Sequence, residues 1–449
     1  MGKADIIGLG RSGIAAARLL KKQGWETSLS DRNSSPSLEQ TRQQLSNEGI
    51  SVHVGDNYRL DPANLPHLIV VSPGVPWDLP VLQQAREAGI NTIGELELAW
   101  RTLNTSPWVG ITGTNGKTTT TALIAAIFQN AGLSAPACGN IGHAACELAL
   151  TEIHYDWIVA EISSYQCESA QDLAPKIGIW TTFTPDHLSR HKTLDNYYAI
   201  KASLLGRSGL KIFNGDDPYL YEIGRTQWPD AYWTSVRGKD HLIGNPDKGI
   251  YLQDNWIVAF GELIAPINLL KMSGQHNWQN LLMAVGAARL AGIEKQAITA
   301  TIASFPGVPH RLEYICTKEG VNFINDSKAT NYDAALVALK AFSEPVILIA
   351  GGEAKEGDDR NWITGIKNKS ARVLLIGEAA PAFAARLEEN GYGDYEVVET
   401  MDKAVTRGLE AALESGVKTV LLSPACASFD QYRSFEHRGD NFRELCKSL

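Results

Sequence analysis

Short apolar runs, each closed by glycine or a polar turn, alternate along this chain with longer stretches whose apolar positions recur at helical spacing. Residues 4–7 read as a strand, residues 8–13 as a glycine turn and residues 14–20 as a helix. Further strands are expected at 27–30 and at 67–71, the latter ending in Ser72-Pro73-Gly74. After a polar stretch, 101–107, the alternation resumes: strand 108–111, a turn rich in glycine and threonine, and a helix from Thr121. Strands at 157–160 and 177–182 follow. Residues 237–262, dense in Gly, Asp, Asn and Trp, read as short antiparallel strands and turns, and a helix is expected at 278–291. Beyond the proline-rich turn 305–309 lie strands at 345–350, 371–376 and 418–422 and helices at 334–342, 380–389 and 403–414. Such alternation predicts parallel sheets with helices packed on them. The fold class expected is α/β in three domains: a Rossmann-like domain at 1–105, a central P-loop ATPase-like domain at 106–308 and a Rossmann-like domain at 309–449.

A chain of 449 residues is too long for one compact core, which agrees with that division. An apolar content of 44% and a charged content of 20% describe an ordinary globular protein. The formal charge of -9 argues against a general nucleic-acid surface but leaves room for local phosphate pockets. Six cysteines without metal-ligand spacing suggest free thiols in a reducing compartment. With no signal peptide and no apolar run long enough to span a bilayer, the expectation is a cytoplasmic protein, with no membrane partner, acting as a monomer.

The most informative stretch is Gly113-Thr114-Asn115-Gly116-Lys117-Thr118-Thr119. A glycine turn between strand and helix lets backbone N–H groups close around phosphate oxygens, Lys117 meets the outer phosphates and Thr118 offers a hydroxyl to Mg2+. The full P-loop pattern wants glycine where Ile111 stands, so this is a variant loop. ATP is the expected ligand.

Gly8, Gly10 and Gly13, followed by Asp31 after the next strand, match the dinucleotide fingerprint. A sugar nucleotide satisfies the same physics, a diphosphate at a helix N-terminus with an acid near the ribose or base. Glu161 closes the strand 157–160 and suits either Mg2+ or a cap; beside the phosphate loop the metal reading leads. His187 and His191 follow a strand and serve as ligands or as structural hydrogen bonders. Lys201 by itself reads as a surface lysine. Asn277 and Asn280 share a helix face, or Asn277 caps it. In the third region, Asn325-Asp326-Ser327-Lys328-Ala329-Thr330-Asn331, Gly351-Gly352-Glu353-Ala354-Lys355 and 423–430 each leave a strand on the same side of a parallel sheet, where open α/β folds bind ligands.

Together, Gly-Thr-Asn-Gly-Lys-Thr, Glu-Ile-Ser-Ser-Tyr-Gln, Gly-Gln-His-Asn, His310-Arg311 and Asp-Ser-Lys-Ala-Thr-Asn resemble the Mur ligase family of peptidoglycan synthesis, over essentially the whole chain. The segment 422–432, with Phe435-Glu436-His437-Arg438-Gly439, resembles the members that add D-glutamate to UDP-N-acetylmuramoyl-L-alanine.

The resemblance implies an ATP-dependent ligase with two Mg2+ ions and an acyl-phosphate intermediate. Ser12, Asp31, Arg32, Gly74 and Asn140 would bind the UDP substrate. The loop 113–119 would bind ATP, with Asn277, Asn280, Arg311 and Asp326 framing the nucleotide in the domain cleft. Lys328, Thr330, Lys355, Ser428 and Phe435 would shape the D-glutamate pocket. Thr118, Glu161, His187 and a carbamylated Lys201 would hold metal, since a free ammonium, with a pKa near ~10.4, repels it. Lys117, His187, Lys201 and Lys328 would be the catalytic groups, and domain closure would exclude water from the acyl phosphate. Other readings stay open: a sibling ligase that adds another amino acid to a related UDP-peptide, or glutamate to a folate, which would not need the N-terminal UDP domain; an NAD-dependent oxidoreductase, which leaves the Lys117 loop without a role; and a nucleotide-regulated binding module without turnover.

Overall fold

The computed structural model describes residues 2–272, 274–353 and 357–449. They form two compact units, one comprising Met1–Lys271 and Gln275–Phe305, the other Met272–Gly274 and Pro306–Leu449.

The first unit holds two sheets. Strands β1 (Lys3–Ile7), β2 (Glu26–Asp31), β3 (Ser51–Val54), β4 (Leu68–Val71) and β5 (Asn91–Gly94) form a parallel sheet in the order β3-β2-β1-β4-β5. The order reverses beside β1, so a crevice opens where β1 and β4 deliver their C-terminal turns. Gly13 lets the helix Arg11–Lys22 dock close on this sheet, because a Cβ there would lie 1.9 Å from Gly8 O.

The second sheet is built from β6 (Trp108–Thr112), β7 (Ala137–Gly139), β8 (Ile158–Glu161), β9 (Ile177–Trp180), β10 (Leu210–Asn214), β11 (Tyr232–Ser235), β12 (Ile250–Gln253), β13 (Trp256–Ala259) and β14 (Glu262–Pro266). Its order is β14-β13-β12-β11-β10-β9-β6-β8-β7. From β7 to β12 along that order neighbouring strands are parallel, and β13 alone runs against them, antiparallel to both β12 and β14, in the segment whose turn residues announce it. Strand β6 is buried along its whole length, and the helix Lys117–Asn130 buries nine side chains around its circumference. Four of them are the threonines 118–121 beside the loop, and the other five come from the apolar run that follows. The helix Gln275–Leu290 starts earlier than its apolar spacing suggests, so Asn277 is its third residue and not its cap.

The second unit carries β15 (Glu313–Lys318), β16 (Val321–Asn325), β17 (Val346–Gly351), β18 (Ser370–Ile376), β19 (Tyr395–Glu399) and β20 (Thr419–Leu422) in the order β15-β16-β20-β17-β18-β19. Only β15 is antiparallel to its neighbour. The neighbours β16, β20 and β17 are mutually parallel, so the polar turns after Asn325, Leu422 and Gly351 leave one end of the sheet together. Asn331 caps the following helix, accepting from Ala334 N at 2.8 Å.

Candidate active site

The nucleotide loop is held from two sides. Gly113 (φ +145) and Gly116 (φ +84) take backbone conformations that favour glycine. A Cβ at Gly113 would lie 2.0 Å from Thr181 Oγ1, and one at Gly116 2.4 Å from Asn280 Oδ1. The turn after β9 fixes the loop backbone: Asn115 N donates to Thr182 Oγ1 at 2.8 Å and Thr114 N to Thr182 O at 2.9 Å. Thr181 and Thr182 therefore belong to the site although their types alone carry no chemistry. Asn280 reaches the loop's helix, accepting from Thr120 Oγ1 at 3.3 Å. Asn277, Thr118 and Thr119 are buried in the same unit.

Lys117 curls back over the loop, donating to Gly113 O at 2.9 Å and Thr114 O at 2.8 Å. Lys201, which reads as a surface residue in isolation, is 1% exposed. The helix Leu194–Arg207 carries its Nζ to Gly113 O (3.0 Å) and Thr112 Oγ1 (3.3 Å), over the Tyr197 ring. Burial, and then the Lys117 charge, push Lys201 down to about 7. An amine with a pKa of about 7 keeps a substantial free-base fraction near neutral pH, and the free base is a nucleophile rather than a phosphate clamp.

Strand register sets Glu161 opposite Ile111, two residues before Gly113. Glu161 is 1% exposed; its Oε1 accepts from Asn140 Nδ2 at 2.9 Å, and its Oε2 is buried without a hydrogen-bond partner among the described residues. An orphaned carboxylate oxygen at that depth suits a cation. His187 sits in a left-handed conformation (φ 53), with Tyr165 Oη 3.3 Å from its Nδ1 and Asp186 Oδ2 3.4 Å from its Nε2. His191 is structural: it is fully buried, bonds Ser164 Oγ through Nε2 at 2.9 Å, and burial pushes it down to about 4. No group of three or more His, Cys, Asp and Glu side chains could by itself hold a metal among the described residues. The hydroxyl of Thr118 and the carboxylate of Glu161 are oxygen donors of the kind that Mg2+ takes.

A cavity of about 680 Å³ opens on the glycine turn of the first sheet. Ser12, Asp31, Arg32, Gly74 and Asn140 all line it, and so does Gln166. Gly10 has open space where a Cβ would stand, which leaves its backbone approachable. Asp31 has a structural task as well, accepting from Leu9 N (2.8 Å) and Asn33 N (2.9 Å) and so pinning the turn. Gln166 forms a capping box with Ser163. The stretch Glu161-Ile162-Ser163-Ser164-Tyr165-Gln166 points to it, though spacing alone assigns it nothing.

In the second unit, Asp326 lies at the end of β16, 4% exposed, and accepts from Ser423 Oγ (2.9 Å) and Leu312 N (3.2 Å). Burial pushes it up to about 7 against the pull of Arg311. Lys328 Nζ stands 5.5 Å from the centre of the Phe435 ring, and its backbone N donates to His310 O at 3.0 Å. Ser428 is buried and Thr330 and Phe435 are half-buried. Lys355 lies outside the described residues. The side chain that organises this cluster is Arg438. It is 1% exposed and donates to Ser327 O (2.8 Å), Cys426 O (3.0 Å), Ala427 O (3.1 Å) and Ser327 Oγ (3.0 Å). One guanidinium thus ties the turn after β16 to the turn after β20, and its desolvation lowers its pKa to about 10.

Three family models match along the chain: the Mur ligase MurD-like N-terminal domain over residues 2–94, the Mur ligase middle domain over 111–288 and the Mur ligase glutamate ligase domain over 310–426. The chain belongs to the Mur ligase family. Similar Mur ligases include the UDP-N-acetylmuramoylalanine--D-glutamate ligases of Gloeothece citriformis (strain PCC 7424), 72% identical, and Microcystis aeruginosa (strain NIES-843 / IAM M-2473), 71% identical, each covering 100% of both chains. The one from Synechocystis sp. (strain ATCC 27184 / PCC 6803 / Kazusa) is 64% identical, again over 100% of both. Among solved structures, a UDP-N-acetylmuramate-alanine ligase from Thermotoga maritima matches with a TM-score of 0.60 at 19% identity, covering 100% of both chains. A pseudomurein peptide ligase type C from Methanothermus fervidus matches with a TM-score of 0.59 at 19% identity and the same coverage. These two likenesses concern the Mur ligase fold alone. No helix among the described residues is long and apolar enough to cross a membrane.

Proposed function

We propose that this chain joins D-glutamate to UDP-N-acetylmuramoyl-L-alanine, driven by ATP cleavage to ADP and phosphate. The observation that carries the reading is the full-length identity, up to 72%, to ligases bearing that name, together with a lysine loop and a separate nucleotide-sized cavity in one unit. Ser12, Gly74, Arg32 and Asn140 would hold the UDP substrate in the cavity, with Asp31 keeping the turn in shape. The loop 113–119, with Asn277 and Asn280, would bind ATP. Lys328, Thr330, Ser428 and Phe435 would receive D-glutamate, Lys355 with them, and Arg311 and Asp326 would contact the nucleotide.

The alanine carboxylate attacks the γ-phosphate, ADP leaves, and the D-glutamate amine then displaces phosphate from the acyl phosphate. Each step crowds anions together, so Lys117 supplies positive charge where it develops. Two Mg2+ ions, when bound, would neutralise phosphate oxygens; Thr118, Glu161, His187 and carbamylated Lys201 would hold them. The free-base amine of Lys201 would add to CO2, forming an N–C bond and releasing a proton, which replaces an amine that repels metal when protonated with an anionic oxygen ligand. Glu161 Oε2, buried and without a hydrogen-bond partner among the described residues, suits the positive charge of a metal ion.

Mass spectrometry of the reaction tests the proposal. Incubation with ATP, Mg2+, UDP-N-acetylmuramoyl-L-alanine and D-glutamate should increase the UDP substrate's mass by one glutamyl residue. An unchanged mass with folded protein would overturn it.

A further inference from the structure

Arg11 is the first residue of the helix Arg11–Lys22 and lines the cavity, yet its guanidinium is turned to protein groups. Nε and Nη2 donate to the two carboxylate oxygens of Glu147, each at 2.7 Å, and Nη1 donates to Gly142 O at 2.7 Å. Glu147 lies in the short helix Ala145–Leu150, and His143 Nδ1 is 3.4 Å from its Oε2. Gly142 belongs to the tight turn that presents Asn140. That turn is fastened to the end of β8: Asn140 N donates to Glu161 O at 2.9 Å and Asn140 Nδ2 to Glu161 Oε1 at 2.9 Å. Two sets of hydrogen bonds therefore meet on one tight turn: Arg11 holds it at Gly142 from the glycine turn of the first sheet, and Glu161 holds it at Asn140.

With side chains 59% and 30% exposed, an Arg11–Glu147 pair adds little stability as an ion pair. A bidentate fork with a third bond to a carbonyl does something else. It fixes position, because the planar guanidinium meets all three acceptors in one orientation only.

We propose that Arg11 is a positioning residue that sets the register of the UDP substrate, holding the glycine turn and the Asn140–Glu161 pair at a fixed separation. This deepens the functional reading above and rests on it. A ligand engaging one end of the cavity does not sense that separation. A ligand spanning from the glycine turn to Asn140 does, and small misplacements of a reacting group are costly.

Calorimetric titration of full-length wild type, Arg11→Ala, Glu147→Gln and the charge-swapped double variant Arg11→Glu/Glu147→Arg tests this, with UDP and UDP-N-acetylmuramoyl-L-alanine as separate probes. Arg11→Ala should bind UDP within about 2-fold of wild type and bind the full substrate about 10-fold more weakly, with kcat reduced at saturation. Glu147→Gln should show a smaller loss in the same direction, and the swap, which restores the ion pair but leaves Gly142 O without its donor, should recover only part of the Arg11→Ala loss. Equal weakening of both probes would overturn the proposal, because Arg11 would then be a direct ligand of the diphosphate. No weakening of either would also overturn it. If wild type binds UDP but not UDP-N-acetylmuramoyl-L-alanine, the functional reading falls and the register role falls with it; a selective defect confined to the variants leaves that reading intact.

Discussion

Lys117 and Lys201 donate to the same acceptor, the carbonyl oxygen of Gly113, at 2.9 and 3.0 Å. One lysine is the charge the phosphate loop needs. The other, buried beside it, is pushed down to about 7, first by desolvation and then by its neighbour.

A neutral, buried amine should capture CO2. Protein equilibrated at pH 8 with 13C-labelled bicarbonate is expected to show a carbamate carbon resonance that Lys201→Met lacks. The variant should also lose most of its turnover while still binding UDP. An identical spectrum from both proteins would rule the modification out.

Gly116→Ala should weaken ATP binding by about 5- to 30-fold, since a left-handed conformation costs about 1–2 kcal/mol for a residue with a Cβ in the phosphate loop itself. The added Cβ would also meet Asn280 Oδ1 at 2.4 Å. Gly24 has the same φ of +84 with nothing within 4 Å, so Gly24→Ala isolates the backbone strain and should leave ATP binding unchanged. Fluorescent ATP-analogue titration of both variants checks the contrast.

Arg438→Ala would leave the carbonyls of Ser327, Cys426 and Ala427 buried without that donor, a loss of about 3 kcal/mol or more. Urea unfolding should register it, and Arg438→Lys should recover only part, because an ammonium cannot reproduce the fork. The KM for D-glutamate should rise in the lysine variant while the KM for the UDP substrate stays near wild type. Equal rises in both would contradict the assignment of this cluster to the amino acid.

Glu95 is fully buried at the start of the helix Glu95–Thr102; its Oε1 accepts from Cys146 N at 2.6 Å and its Oε2 has no partner among the described residues. Burial pushes it up to about 7 from 4.5. Across that window the unfolded chain has released the proton and the folded chain keeps it, so stability falls as pH rises, by at most about 3 kcal/mol. Denaturant midpoints at pH 5 and pH 8 should differ less in Glu95→Gln than in wild type. An unchanged difference would place the effect elsewhere.

The sequence made legible what depends on local pattern. The apolar run, glycines and Lys117 announce a phosphate loop because strand, turn and helix are consecutive in the chain. The three polar strand ends of the second unit are legible for the same reason. What stays hidden depends on packing between distant segments. Lys201 reads as a surface residue because its burial comes from Thr112 and Gly113, far away in sequence. Arg438 has four partners on two turns that nothing in its own helix foretells. The hairpin of β15 and β16 is missed for a different reason. Its turn, Glu319-Gly320, uses positive φ at both positions (49 and 80) without the Asn-Gly or Asp-Gly pair that usually marks such turns.

The most direct test of the ligase account is phosphate release from ATP in the presence of UDP-N-acetylmuramoyl-L-alanine, with D-glutamate, L-glutamate or no amino acid. Phosphate release should require both the UDP substrate and D-glutamate. Release that is indifferent to the amino acid, or absent under every combination with folded protein, would contradict it.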